Sequence, residues 1–484
     1  MAELILIQSG RARAIPFEPP RPFSELLASE GIHMAHPCGG RGVCGKCAVL
    51  YETEGGAPET KLGCQLVLTG DARVTLPDSR AASIQLSGTS SLPITLSPMK
   101  GRLGAALDIG TTTIAARLFR LADGRCLGEA GMVNPQTQAA ADVMGRIGYA
   151  MKGGSGHLQR QVLGAIETLL SACLPSEHSR EEIDSLVLTG NTAMLYLLTG
   201  RDPEPLSHAP FQADCLFGAT CQVLDIPAYL PPCMNAFVGA DITCACLDSG
   251  QYDAGGISLL CDIGTNGELA LLKDGVLRVC STAAGPAFEG AGISCGCGGV
   301  EGAIDRVWIE DGALAYGTIG GKPPIGLCGS GLLDAAAALL DLGLVDDTGA
   351  TDLDRLEIGG GIALLPRDIR ALQLAKAAIA AGIRTLLHGA SLAPEQLSTL
   401  YIAGGFGAHL NIESAVRIGL IPASLSQKVR VIGNAALSGA CRLLLEEPSI
   451  RRAHAIADSA RHVNLGGDPV FNEYYMDEMF FPES

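Results

Sequence analysis

Four cysteines near the start of the chain stand at a spacing that chemistry can use: Cys38, Cys44 and Cys47 in HPCGGRGVCGKC, then Cys64 in LGCQ, a C-x5-C-x2-C-x16-C array. Converging thiolates can hold an iron–sulfur core, and Gly39, Gly40, Gly42 and Gly45 let the backbone wrap closely and aim N–H groups at the sulfides. Four thiolates can also hold zinc, although a ribbon-type zinc site uses two C-x2-C knuckles and only one is present. A second chemistry begins at Asp108 and Asp262, each of which opens an Asp-Ile-Gly-Thr element. The hydroxyls of Thr111, Thr112, Thr113 and Thr265, with the amides around Gly110, Gly264 and Asn266, are donors for a polyphosphate, and the two carboxylates suit Mg2+ held through water. A third element, Gly404-Gly405-Phe406-Gly407 in YIAGGFGAHLN, permits close approach of an adenosine. Glu268, on the strand leaving the second loop, is the candidate for orienting an attacking water. Asp241 in FVGADIT is a candidate for the same task or for the magnesium, and Asn191 in LTGNTAM is placed to line the cleft. The plain readings stay open, because Asp and Gly are ordinary turn residues and Glu268 is equally a solvated strand residue.

Something must position these groups. Residues 1–78 alternate short apolar runs (LILIQ, RARAIPF, KCAVLYE, ARVTLP) with turns and one helical stretch, which predicts a small α+β fold. Residues 79–103 are rich in Ser, Thr and Pro and read as a linker. Beyond them one phrase occurs twice, ALDIGTTTIAARLF at 106–119 and LCDIGTNGELALL at 260–272, predicting a duplicated α/β domain with lobes at 104–250 and 251–484, the second carrying a C-terminal return segment. In both copies a strand enters and a strand leaves, so each Gly/Thr element belongs at the tip of a β-hairpin.

The bulk composition narrows the classes. At 484 residues the chain is long enough for two or three domains, and no apolar run approaches the roughly 18 residues of a membrane span. The N-terminus lacks the pattern of a secretory signal, so a cytoplasmic location is expected. A net charge of −17 without a basic patch argues against nucleic acid and against a membrane surface. Seventeen cysteines in such a setting point to reduced thiols and metal ligands before disulfides. The pairs Cys244/Cys246 and Cys295/Cys297 are read as small buried hydrophobes, and His33, His36 and His409 as loop residues. The aromatic tail at 471–481 is expected to dock on a lobe.

The cysteine spacing resembles that of vertebrate-type and putidaredoxin-type 2Fe–2S ferredoxins in its first gap, which implies a β-grasp fold with Cys38 and Cys44 on one iron and Cys47 and Cys64 on the other. The three glycine-bearing elements resemble the phosphate 1, phosphate 2 and adenosine motifs of the acetate kinase, sugar kinase, Hsp70 and actin superfamily, which implies an actin-like (ribonuclease H-like) ATPase. Across nearly its whole length the chain resembles the reductive activators of corrinoid proteins, through HPCGGRGVCGKC, LDIGTTT, NPQTQAAADVMGRI, GNTAM, FVGADI, CDIGTNGE, STAAGPAFEGAGI, GLCGSGLLD, DIRALQLAKAAI and AGGFGAHLN. That resemblance implies ATP-driven electron transfer from the 2Fe–2S cluster to cob(II)alamin on a corrinoid protein, regenerating the cob(I) state for methyl transfer, with a separate low-potential electron donor and with a homodimer as an open expectation. Longer members carry an extra middle domain for which the stretch 79–103 leaves no room. A redox-sensing small-molecule kinase of the same superfamily is the alternative.

Overall fold

The computed structural model describes residues 2–8, 11–30, 32, 47–53, 56, 58–76, 92–405 and 410–483. In the N-terminal module the strands Ala2–Gln8 and Arg11–Phe17 form an antiparallel pair, and Ala72–Thr75 runs parallel to the first of them. Strands Ala48–Thr53 and Glu59–Leu62 complete a five-stranded mixed sheet. Alternation along the strands sends Leu4, Leu6, Ile15, Phe17 and Val74 to one face, where they pack with Phe23, Leu26 and Leu27 of the helix Phe23–Ser29.

The rest of the chain contains the same sheet twice. In the first lobe the strands Arg125–Val133, Thr113–Arg120 and Leu103–Ile109 lie antiparallel in that order, followed by Ile183–Gly190 and Ile226–Leu230, both parallel to Leu103–Ile109. In the second lobe Val276–Thr282, Gly267–Lys273 and Ser258–Ile263 repeat the antiparallel trio, followed by the parallel strands Thr399–Ala403 and Val429–Gly433. The duplication predicted from one repeated phrase is therefore a duplicated topology, and both Gly/Thr elements sit at hairpin tips as expected. Each lobe adds an edge strand of its own, Ala219–Val223 in the first and Ala460–His462 in the second.

Burial explains why these segments take these forms. Leu103–Ile109 and Ser258–Ile263 are covered on both faces and buried at every residue except the two aspartates, as central strands between helices are. Between its third and fourth strands each lobe places a long helix, Ser155–Cys173 in the first and Pro366–Gly389 in the second. Leu158, Val162, Ile166, Leu169 and Cys173 recur at helical spacing on the buried face of the first. The helices Ala240–Ser249 and Ala435–Leu445 pack between the sheets and share one apolar core drawn from both lobes, with Ile242, Cys244, Cys246, Leu437, Cys441 and Leu444 among its members. Cys244 and Cys246 are thus packing residues, as read from the sequence, whereas Cys295 and Cys297, read the same way, are only partly buried. The tail also docks as expected: helix Pro469–Asp477 and the residues after it lie along Pro366–Gly389, where Gln373 donates to the Met479 carbonyl (2.8 Å) and Arg384 pairs with Glu478 (2.9 Å). No helix among the described residues is long and apolar enough to cross a membrane.

Candidate functional site

The two hairpins point at each other. Thr112 and Thr265, from opposite lobes, stand with their hydroxyl oxygens 3.0 Å apart, and Thr265 also donates to Glu289 Oε1 at 3.0 Å. Behind the tips lie Asp108 and Asp262 at the ends of their central strands. Cross-strand register places Glu268 directly opposite Asp262, so both side chains emerge on one face of the sheet, whereas the position opposite Asp108 is Ala115.

The first turn, 110–113, is braced from inside its own lobe. Asn134 donates Nδ2 to the Gly110 carbonyl (2.8 Å) and its backbone N–H to the Thr112 carbonyl (2.8 Å). Arg146, fully buried, donates to the Thr111 carbonyl and, at 3.0 Å, to that of Ala140. Asn191 caps the helix Thr192–Thr199 through Met194 N–H (3.0 Å) and turns its amide to Thr111 Oγ1 (3.0 Å). Thr111 is therefore directed into the lobe, Thr113 begins the outgoing strand opposite Val133, and Thr112 is the hydroxyl that faces the other lobe. In the second lobe the turn 264–266 is one residue shorter and is closed by Gly264 N–H on the Asn266 carbonyl (3.0 Å). Gly404, at φ +101°, lets the fourth strand pass so close that a Cβ would lie 2.5 Å from the Ile263 carbonyl oxygen and 2.9 Å from Asp262 Oδ1. Gly405 is exposed beside it, while Phe406 and Gly407 lie outside the described residues.

The electrostatics are those of a crowded acid cluster. Burial raises the Asp108 carboxyl to about 6, opposed by the hydrogen bond that Asn434 Nδ2 donates to its Oδ2 (3.1 Å). Asp241, in the first turn of Ala240–Ser249, is raised to about 7 by burial and then by the charge of Asp108. Asp262 is raised to about 8 by burial, with Asp241, Asp108 and Glu289 adding to the effect. Glu268 is pushed well above the carboxylate range by burial and by Asp241 and Asp262, and Glu289 is raised by burial against the hydrogen bonds from Thr112 and Thr265. A carboxyl held protonated donates a hydrogen bond and is no base until positive charge enters the cleft. Oxygen donors of this kind suit a hard divalent cation, although among the described residues no three ligands are already gathered around one point. Asp108, Asp262 and Asp241 would hold such an ion, and it would supply the missing positive charge.

In the N-terminal module Cys47 Sγ and Cys64 Sγ are 3.2 Å apart, and Gly63 N–H bonds the Cys47 carbonyl at 2.8 Å. Two thiolates on one tetrahedral metal, at a bond length near 2.3 Å, stand roughly 3.7 Å apart, so this pair fits a shared metal atom with a small adjustment. Cys38 and Cys44 lie outside the described residues, as do His33, His36 and His409.

Sequence reasoning missed Asn434, Glu289, Asn134 and Arg146. Asn134, Arg146 and Glu289 sit in phrases that carry the family resemblance but suggest no individual role, and Asn434 carries a local signal, since Gly-Asn-Ala-Ala before an apolar run is a helix start.

Comparison with known proteins agrees with this arrangement. The family region described as "RACo middle region" matches residues 103–253, the first lobe, and "C-terminal domain of RACo the ASKHA domain" matches 256–484, the second. The corrinoid activation enzyme RamQ of Eubacterium limosum is 29% identical over an alignment of 574 residues that covers 95% of this chain and 96% of the relative, so that relative carries stretches this chain lacks. A Co(II) methylated amine-specific corrinoid protein reductase of Methanosarcina barkeri is 26% identical, covering 78% of this chain and 77% of its own. Among solved structures, a reductive activator for a corrinoid, iron–sulfur protein superposes with a TM-score of 0.75 at 27% identity, covering all of this chain and 99% of its own. The two matched regions together span the ATPase-like body, and the chain belongs to the family of reductive activators of corrinoid proteins.

Proposed function

We propose that this chain is a cytoplasmic, ATP-hydrolysing activator that delivers a low-potential electron from a 2Fe–2S cluster, bound by Cys38, Cys44, Cys47 and Cys64, to cob(II)alamin on a corrinoid protein and so regenerates cob(I)alamin. The observation that carries the nucleotide half is the meeting of Thr112 and Thr265 at 3.0 Å in front of Asp108, Asp262 and Asp241. A cleft closed by hydroxyls and lined by mutually repelling carboxyls is a place where a polyphosphate with its magnesium relieves charge. The mixed five-stranded sheet packed on one helix, with Cys47 and Cys64 brought to 3.2 Å, supports the ferredoxin half. When bound, the cluster would supply one electron at a time, and magnesium would supply positive charge that offsets Asp108 and draws Asp241 and Asp262 toward their ionised forms.

Each residue then has a definite task. Thr112 and Thr265 separate to admit phosphate and donate to it from the two sides. Asn134, Arg146 and Asn191 hold the first turn rigid, so that Thr112 closes on the ligand without its backbone reorganising. Gly110, Thr111 and Thr113 shape that turn, and Gly264 with Asn266 shapes its counterpart. Gly404, Gly405, Phe406 and Gly407 receive the adenosine. Glu268, on the same sheet face as Asp262, orients the attacking water, and Asp241 at the helix start shares the ion.

The test is anaerobic. The protein is mixed with a cob(II)-loaded corrinoid protein and a chemical reductant, and the cob(I) absorbance is followed with and without Mg-ATP. Cob(I) formed only with ATP, accompanied by inorganic phosphate, is the expected result. Absence of any ATP effect, together with a phosphorylated small molecule, would move the protein to the redox-sensing kinase reading.

A further inference from the structure

Residues 92–99 lie in the stretch that joins the N-terminal module to the first lobe, and the nucleotide reading gives them no task. They are nonetheless held at many points. Ser97 N–H donates to the Leu445 carbonyl and Met99 N–H to the Leu444 carbonyl, both at 2.9 Å, and Glu447 N–H donates to the Ser97 carbonyl at 2.8 Å. Arg442, its side chain 7% exposed, donates Nη2 to the Leu92 carbonyl (2.7 Å) and Nη1 to the Pro93 carbonyl (3.1 Å). The same guanidinium pairs with Glu446 at 2.9 Å and lies 4.0 Å from Asp248, which is fully buried on the first-lobe helix Ala240–Ser249. Ile94 and Met99 pack against the core shared by the lobes. Arg442 is thus the point where the joining segment, the first lobe and the second lobe meet.

These contacts gather at the C-terminal end of the helix Ala435–Leu445. Its other end is capped by Asn434, whose Oδ1 accepts from Leu437 N–H (2.9 Å) while its amide donates to Asp108 in the cleft. Midway, Gly439 crosses Cys244 so tightly that a Cβ would stand 2.1 Å from the Cys244 carbonyl oxygen. Eleven residues make a rod of roughly 16 Å, held at the cleft, at a close crossing and at the joining segment. Packed interfaces of this kind shift between discrete arrangements and do not stretch.

We infer that this helix is a coupling rod through which occupation of the cleft at Asp108 repositions residues 92–99 and hence the N-terminal module tethered to them. The inference rests on the nucleotide reading above. A ligand that claims Asp108 Oδ2 takes it from the Asn434 amide and frees the capped end. The Gly439–Cys244 crossing is the fulcrum, and the carbonyls of Leu444 and Leu445 carry the displacement to Met99 and Ser97.

The test is hydrogen–deuterium exchange on the full-length protein, with and without Mg2+ and a non-hydrolysable ATP analogue, with nucleotide affinity measured by calorimetry on the same samples. We expect the exchange rates of the Ser97 and Met99 amides to change about fivefold or more on saturation, the lower end of typical coupling. Arg442→Lys, which keeps the charge beside Asp248 and loses the two-pronged hold on Leu92 and Pro93, should bind nucleotide normally. Its exchange at 92–99 should no longer respond, and its ATP-dependent cob(I) formation should fall about fivefold or more. Bound nucleotide with unchanged exchange at Ser97 and Met99 would overturn the coupling, as would Arg442→Lys with full cob(I) yield. Failure to bind nucleotide at all would instead sink the underlying site reading, and the affinity measurement tells these failures apart. The wild-type comparison decides the matter even where the variant fails to fold.

Discussion

The two lobes share a strand order and differ in how they treat the same hairpin. The first holds its turn from behind through Asn134, Arg146 and Asn191, and the residue opposite its aspartate is Ala115. The second has a shorter turn that leans on Glu289, and opposite its aspartate stands Glu268. Duplication supplied two hairpin tips that face each other. Divergence then divided the labour, making the first lobe a fixed wall and giving the second the surplus of acid groups from which chemistry can be built. The comparison suggests that substitutions in the first lobe should act through stability and placement, and those in the second through turnover.

The aspartates are where the lobes should behave alike. Asp108→Ala and Asp262→Ala are each expected to abolish ATP-dependent cob(I) formation while leaving the visible spectrum of the cysteine module intact, since the two sites occupy separate modules. Full ATP-driven activity in either variant would show that its carboxylate does not serve the ion. At the next position the lobes should part. Glu268→Gln keeps size and hydrogen bonding but cannot take or position a proton in the same way, and we expect ATP turnover to drop about 100-fold with nucleotide affinity retained. A change in affinity alone would return Glu268 to a structural part and erase the asymmetry.

Both hairpins were legible in the sequence because each is local: an apolar strand, Asp-Ile-Gly-Thr and another strand, read twice. The repeat announced two like lobes but not their sheet order, because the parallel strands Ile183–Gly190 and Thr399–Ala403 join each sheet from far along the chain. Asn434 was not legible as a site residue because its partner Asp108 lies 326 positions away and on the other lobe, so the local signal announced only a helix cap. Glu289 was hidden in the same way, since its role comes from Thr112 and Thr265, which two different lobes bring to it. Arg146 was masked by its type, because an arginine on an amphipathic stretch ordinarily faces water and this one is fully buried on backbone carbonyls. The cysteine array is legible wholly from spacing, and the structure adds the proximity of Cys47 to Cys64.

Arg146 gives the test of the braced wall. Burial lowers its guanidinium to about 10, offset by Asp142 and Glu289, so it stays charged at neutral pH. Arg146→Met fills similar volume but strands the carbonyls of Thr111 and Ala140. We expect a loss of about 3 kcal/mol in stability, since each buried carbonyl left unsatisfied costs roughly 1–3 kcal/mol, together with weaker nucleotide binding. Denaturant unfolding of the variant measures the first and calorimetry the second. Unchanged stability would mean that the first turn holds its shape without the brace.

The smallest effect concerns the long helices that follow the third strand of each lobe. That of the second lobe alone is covered by the C-terminal tail, which encloses Lys376: its side chain is fully buried, donates to the Phe480 carbonyl and lies 3.8 Å from Glu478. Burial lowers this ammonium from 10.5 to about 8, partly offset by Glu478. Because the folded value lies below the unfolded one, the unfolded chain binds the extra proton between those limits, and stability contributed by this group rises with pH. At pH 7 both states are charged and the full cost of burial is present; from pH 8 to 10.5 that cost is relieved. Relative to Lys376→Met, the wild type should therefore gain on the order of 2 kcal/mol between pH 8 and about 9.5, since each pH unit crossed there contributes up to about 1.4 kcal/mol. Urea unfolding followed by Trp308, the sole tryptophan and a residue of the same lobe, measures the difference. A pH-independent difference would mean that water reaches Lys376 beneath the tail, and that the second lobe's helix is as open as the first's.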